Sequence, residues 1–149
     1  MERRVSLITL GVTDLQRARE FYRRLGWQGQ ETEETVFIQA GALGLVLWSR
    51  AKLALDAGVP DERVPDGGPP GFGGMVLAHN VRSPAEVDEV MATARTAGAT
   101  ITCPAATTFY GGYAGYFADP DGHLWEIAHN PGFPLAPDGS ITIPDFGPE

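Results

Sequence analysis

Three side chains near the end of the chain, His123, Glu126 and His129, stand at three-residue intervals in HLWEIAH (123–129). Imidazole and carboxylate together make up many divalent-metal sites, and a carboxylate among apolar neighbours can also act as a general base or anchor a cation. The segment reads as a strand entered from a tight turn, Asp119-Pro120-Asp121-Gly122. Strand side chains alternate between faces, so Glu126 shares its face with Leu124 and Ala128, while His123, Trp125, Ile127 and His129 take the other. His123 and His129 are also about 20 Å apart along an extended strand. Metal ligands lie about 2 Å from the ion, so these two cannot share one. The bland roles are therefore expected for the histidines. His79 sits half-buried between sheet and helix, His123 is a polar surface residue after the turn glycine, and His129 bonds the C-terminal tail.

The remaining reactive group is Cys103, the only cysteine. It cannot form an internal disulfide, and beside Pro104 in an apolar stretch it is expected to be a small buried hydrophobe rather than a nucleophile. Net charge is −8, which disfavours nucleic acid and anionic membranes as partners. The first twelve residues, MERRVSLITLGV, do not read as a signal peptide, and no run approaches the ~20 apolar residues of a membrane span. A cytoplasmic location is the default expectation.

The elements that must position Glu126 occur twice. VSLITLGV (5–12) predicts a strand. Thr13-Asp14 are helix N-cap residues, with Gln16 placed for a capping box, and Leu15, Ala18, Phe21, Tyr22 and Leu25 recur at helical spacing up to Gly26. Strands are expected at 34–41 and 43–49, then a short helix at 50–57. After a Pro- and Gly-rich stretch the order restarts. GMVLAHNV (74–81) predicts a strand, and Ser83-Pro84-Ala85-Glu86 a helix start. Val87, Val90, Met91 and Ala94 form that helix's apolar stripe. Strands follow at ATITCP, GGYAGYFA (111–118) and HLWEIAH. A repeated unit is a stronger signal than any single strand. One domain is expected over 1–149, with module 1 at about 4–58, a linker at about 59–73, module 2 at about 74–130 and a tail at 131–149 in which ITI is a candidate edge strand.

In LGVTDLQRAREFYRRLGW and YFADPDGHLWEIAHNP, set at this distance, the chain resembles the vicinal oxygen chelate superfamily of glyoxalases, bleomycin-resistance proteins and dioxygenases. The resemblance covers residues about 5–130. It implies an α+β fold in which two βαβββ modules form a curled mixed sheet around a cavity. Metal-dependent members carry ligands on the first and last strands of each module. Carried over residue by residue, those positions are Leu7, Trp48, Val76 and Glu126, and only the last can bind a cation. The resemblance thus implies no metal cofactor, with a divalent metal as the alternative, and a homodimer.

With Leu7 and Thr9 facing inward, the same phase in module 2 gives Val76, Ala78 and Asn80. Trp48 and Glu126 add an aromatic wall and one acid, and Gln39 and Tyr113 are placed at the mouth. A mostly apolar pocket with a few polar anchors suits a small molecule. Three classes follow. The first is a metal-free binder that sequesters an antibiotic or aromatic metabolite, with Trp48 stacking and Glu126 attracting a cation. The second is a lyase/isomerase or dioxygenase-like enzyme using Glu126 as its catalytic residue, with or without a divalent metal. The third is a scaffold whose inner face is simply filled, with Thr9 or Asn80 satisfying Glu126.

Overall fold

In the computed structural model, residues 1–61 and 71–147 are described. Most of the predicted linker, 62–70, lies outside them.

The aliphatic run LITLGV forms β1 (Leu7–Val12). Asp14 then caps α1 (Leu15–Arg24) by accepting from the Arg17 backbone N–H. The anticipated capping box does not form. Gln16 donates instead to Glu31, and Thr13 is used elsewhere, as described below. Gly26 adopts φ 89°, the left-handed turn that ends a helix without Cβ strain.

Three strands follow: β2 (Gly29–Glu31), β3 (Thr35–Ala40) and β4 (Leu43–Ser49). The strand β2 was not anticipated, because GQE has neither apolar alternation nor β-branching to announce it. It is held by its antiparallel pairing to β3. Ser49 caps α2 (Arg50–Ala57), which ends at the left-handed Gly58.

The second half opens with β5 (Leu77–Asn80), shorter than the predicted 74–81. Ser83 accepts from the Glu86 backbone N–H to start α3 (Pro84–Ala97), with Pro84 at the first turn and Gly98 at the stop, as the sequence implied. The Glu86 carboxylate closes the cap from Arg82 N–H. The sheet is completed by β6 (Thr100–Thr107), β7 (Tyr113–Ala118) and β8 (Leu124–His129). In the tail, the anticipated ITI strand reduces to one bridge between Leu135 and Ile141, and Arg82 anchors the segment by donating to the Ala136 and Pro137 carbonyls.

The duplication is explicit in the pairing. One four-stranded sheet runs β1-β4-β3-β2 and the other β5-β8-β7-β6. In both, first and last strands are parallel and the last three elements are antiparallel neighbours. The fold is α+β, built of two βαβββ modules whose mixed sheets are separate and unclosed. By contacts the chain divides into two compact units, Met1–Met75 with Asp119–His123, and Val76–Ala118 with Leu124–Glu149. In the first, Leu10, Val12, Val36, Ile38, Leu45 and Leu47 bury one sheet face together with Phe21 and Tyr22 of α1. In the second, Phe117, Trp125 and Ile127 share a core with Val87, Met91 and Ala94 of α3. Gly115 is part of that packing, since a Cβ there would lie 2.8 Å from Met91 Cε.

Candidate functional site

In each unit the pocket residues singled out from the sequence, Tyr113 excepted, lie on the sheet face turned away from that unit's buried core. In the first unit the register sets Leu7 beside Gly44, Thr9 beside Val46 and Gly11 beside Trp48. Thr35, Phe37 and Gln39 extend this face across β3. It is apolar and partly bare, with Leu7 57% and Phe37 44% exposed and Trp48 half-buried. Gln39 is exposed, but its amide donates to the Gly41 and Leu43 carbonyls and so serves the β3–β4 turn. Gly11 is buried because the start of α2 crosses close above it; a Cβ would lie 3.1 Å from the Arg50 Cα.

The register changes one equivalence drawn from the sequence. Trp48 stands across from Gly11, and Leu7 is four residues away along β1, about 13 Å. Glu126 stands across from Ala78. With Val12 matched to Val81, Ala78 corresponds to Thr9, whose neighbour on β4 is Val46. The register mate of Glu126 is therefore Val46, and Trp48 lies one step further along the same face.

The second unit carries the polar chemistry. Glu126, half-buried, lies across from Ala78 on one side and Tyr116 on the other. Tyr116 Oη donates to Glu126 Oε1 at 2.8 Å. That bond, with burial and the Glu126 charge, pushes the phenol up to about 12. Ala114, Ala118 and Ala128 occupy the adjoining positions on the same face, with Leu124 and Asn80 at its margin. Cys103 pairs with Tyr116 across β6, so Cys103, Tyr116 and Glu126 form a row over three strands. Cys103 is exposed rather than buried, because β6 is an edge strand whose register slips on both sides of it. Val76, 36% exposed, precedes β5 on the phase of Ala78.

Tyr113 does not belong to this face. It is three residues from Tyr116, so it points to the other side, where its hydroxyl donates to Asp88 of α3 at 2.9 Å. Placing Tyr113 at the mouth overlooked strand parity. Tyr116, which the sequence reading did not single out, was the one to choose: it is the tyrosine whose parity and register match Glu126. The partner anticipated for Glu126, Thr9 or Asn80, is Tyr116 instead.

The histidines are structural, with two differences from expectation. His123 is half-buried, and its Nε2 donates to the Gly11 carbonyl at 2.8 Å. His79 is exposed by surface area, yet its ring lies against enough protein for desolvation to lower its pKa, with Glu86 opposing. His129 Nδ1 lies 3.4 Å from the Val81 carbonyl rather than on the tail.

The Asp119–Gly122 turn forms a polar cluster within the first unit. Asp119, 4% exposed, accepts from the Asp121 and His123 backbone N–H groups and from Tyr22 Oη at 2.7 Å. Burial pushes its carboxyl up, against the opposing pull of His123 and Tyr22. Asp121 accepts from the Thr13 N–H and hydroxyl and pairs with Arg17 at 3.3 Å. These bonds have the sense of a clamp on the start of α1; all of them use Asp121 Oδ1, and Asp121 Oδ2 is buried with no hydrogen-bond partner among the described residues.

Leu7, Trp48 and Val76 offer no lone pair that could hold a metal, and Val46, the register mate, offers none either. Among the described residues, no group of three or more His, Cys, Asp or Glu could hold one. The donor set does not fit a divalent cation.

A family model for the glyoxalase/bleomycin resistance protein/dioxygenase superfamily matches residues 4–127. The chain belongs to that superfamily. It is 40% identical to a glyoxalase-related enzyme from Fulvimarina pelagi, covering 95% of this chain and 98% of that one with a TM-score of 0.84. A hypothetical protein from S. aureus shares the fold at 21% identity, covering 87% and 95%, TM-score 0.72. A lactoylglutathione lyase from Agrobacterium tumefaciens does so at 21%, covering 87% and 95%, TM-score 0.62. No curated protein matches. Among the described residues, no helix is long and apolar enough to cross a membrane.

Proposed function

We propose that this superfamily member is a metal-free small-molecule binder that holds a cationic ligand on the Glu126 face, as an antibiotic- or metabolite-sequestering protein would. One observation carries the reading: Glu126 has one oxygen bonded to Tyr116, and its neighbours on the face, alanines and Leu124, carry no side-chain donor for the other. A carboxylate in an apolar setting without a full set of donors favours a ligand that brings one. A second copy of the chain is the expected macromolecular partner, testable by sedimentation.

The test has two parts. Elemental analysis of protein purified without added metal should find no stoichiometric Zn, Fe, Ni or Mn; about one metal per chain, lost in Glu126→Ala, would overturn the metal-free assignment. Calorimetric titration with benzylammonium and neutral benzyl alcohol should then show Glu126→Gln weakening the cation by about 1.5–3 kcal/mol, the range for a lost charged hydrogen bond, and the alcohol little.

A second reading has its own support. The 40%-identical relative is described as a glyoxalase-related enzyme. On that reading Glu126 moves a proton on a bound substrate, as a lyase or isomerase base. Turnover of a hemithioacetal by the wild type and its loss in Glu126→Gln would favour it.

A further inference from the structure

Tyr116 leaves the two oxygens of Glu126 unequal. Oε1 accepts the phenolic proton at 2.8 Å. No protein donor reaches Oε2 among the described residues, and the side chains around it are Ala78 across the strand and Ala128 two residues on. The donor is not adjustable. Tyr116 is fixed by strand register directly opposite Glu126, and its ring is half-buried. A carboxylate free on both oxygens is the natural partner of a planar fork such as an amidinium or guanidinium, which bonds both at once. A carboxylate with one oxygen already engaged by a fixed O–H donor keeps one unshared oxygen, and the other can take a second donor only beside the phenol. A fork must displace or crowd the phenol, whereas an ammonium needs only one oxygen.

We propose that Tyr116 is a specificity-determining residue, which by occupying one oxygen of Glu126 restricts the site to ligands bearing a monodentate ammonium and disfavours amidinium and guanidinium ligands. This rests on the binder reading above and names its ligand class. The aromatic body of such a ligand would lie over Ala78, the exposed alanine of this face, since Ala114 and Ala128 are already covered. Tyr116 acts through Glu126 and makes no claim on reaction chemistry.

Binding of benzylammonium and benzamidinium to the full chain, measured calorimetrically for the wild type, Tyr116→Phe and Glu126→Gln at neutral pH, is the test. The wild type should prefer benzylammonium by about tenfold, the equivalent of one net hydrogen bond. Tyr116→Phe keeps the ring and frees Oε1, so the preference should vanish or reverse through a gain for benzamidinium. A purely structural role would lower both affinities together and leave their ratio unchanged, and that result overturns the proposal. Glu126→Gln separates the two levels. If it abolishes both probes while Tyr116→Phe leaves the ratio intact, the binder reading stands and this inference fails. If neither probe binds the wild type to about millimolar concentration, or Glu126→Gln changes nothing, both fall. Tyr116→Phe that fails to fold, by circular dichroism, is replaced by Tyr116→Trp, which also removes the hydroxyl and should likewise lose the preference.

Discussion

The two modules share a strand order and differ in almost everything their open faces present. Module 1 offers Leu7, Phe37 and Trp48, with Val46 on the same face but covered and Gln39 turned to its own backbone. Module 2 offers a carboxylate hydrogen-bonded to a phenol among alanines. The buried faces are alike in kind, because each must cover a helix with branched and aromatic side chains. Duplication therefore constrains the face that pays the folding cost and leaves the other free to diverge. The connecting turns diverge as well. The β3–β4 turn is a short Gly41-Ala42 connection, while the β7–β8 turn is a five-residue loop with two buried or nearly buried aspartates.

That turn gives the largest expected effect. Asp119→Ala would remove the acceptor of the Asp121 and His123 backbone N–H groups and of the Tyr22 hydroxyl, in a buried to half-buried setting. The expected loss is about 3 kcal/mol, read by denaturant unfolding. Asp119→Asn keeps an oxygen for the two backbone donors and removes a carboxyl whose pKa burial already raises, so it should cost far less. Equal losses from both would mean that the charge, not the acceptor geometry, holds the turn, and the contrast between the two turns would need another cause.

Trp48 tests whether module 1's open face contributes to stability. Being half-buried, Trp48→Ala should cost about 1–2 kcal/mol, below the 3–5 typical of a fully buried aromatic. Glu126→Gln, on the corresponding face of module 2, should stay within about 0.5 kcal/mol of wild type, because the amide can still accept from Tyr116. A loss above about 2 kcal/mol for Glu126→Gln would make the pair a folding element rather than a site.

How much of this was legible beforehand follows the physics of each signal. The caps at Asp14 and Ser83, the stop at Gly98 and the apolar stripe of α3 were readable because capping and periodicity are local. The strand β2 was not, since GQE is a strand only by virtue of its partner. The face of Glu126 was readable from parity alone. Its partner was not, because the pairing of Tyr116 with Glu126 is a matter of register across a turn, and the aromatic cluster drew the eye to Tyr113, which parity assigns to α3. The equivalence of Trp48 and Glu126 slipped for the same reason: it is set by the register of β1 with β4 and of β5 with β8, which is not local.

The smallest effect in energy is the most specific to the Tyr116–Glu126 pair. The carboxylate raises the Tyr116 phenol from 10.0 to about 12. A group whose folded pKa lies above its unfolded value favours the protonated fold. The pair's contribution is therefore complete below pH 10 and is lost as pH rises through about 12. The stability difference between wild type and Glu126→Gln should shrink across that window, and no comparable change should appear between pH 6 and 9. Absorbance at the tyrosinate band reads the same event directly. One of the chain's four tyrosines should titrate near 12 in the wild type and move down toward the ordinary tyrosine range in Glu126→Gln, where the amide lacks the charge that holds the proton. Module 1 supplies the control, because Trp48→Ala removes a large ring from the other open face without touching Tyr116 and should leave that titration where it was. If Trp48→Ala lowers the Tyr116 midpoint as far as Glu126→Gln does, the phenol is being held by general burial rather than by Glu126, and the chemical difference between the two faces disappears.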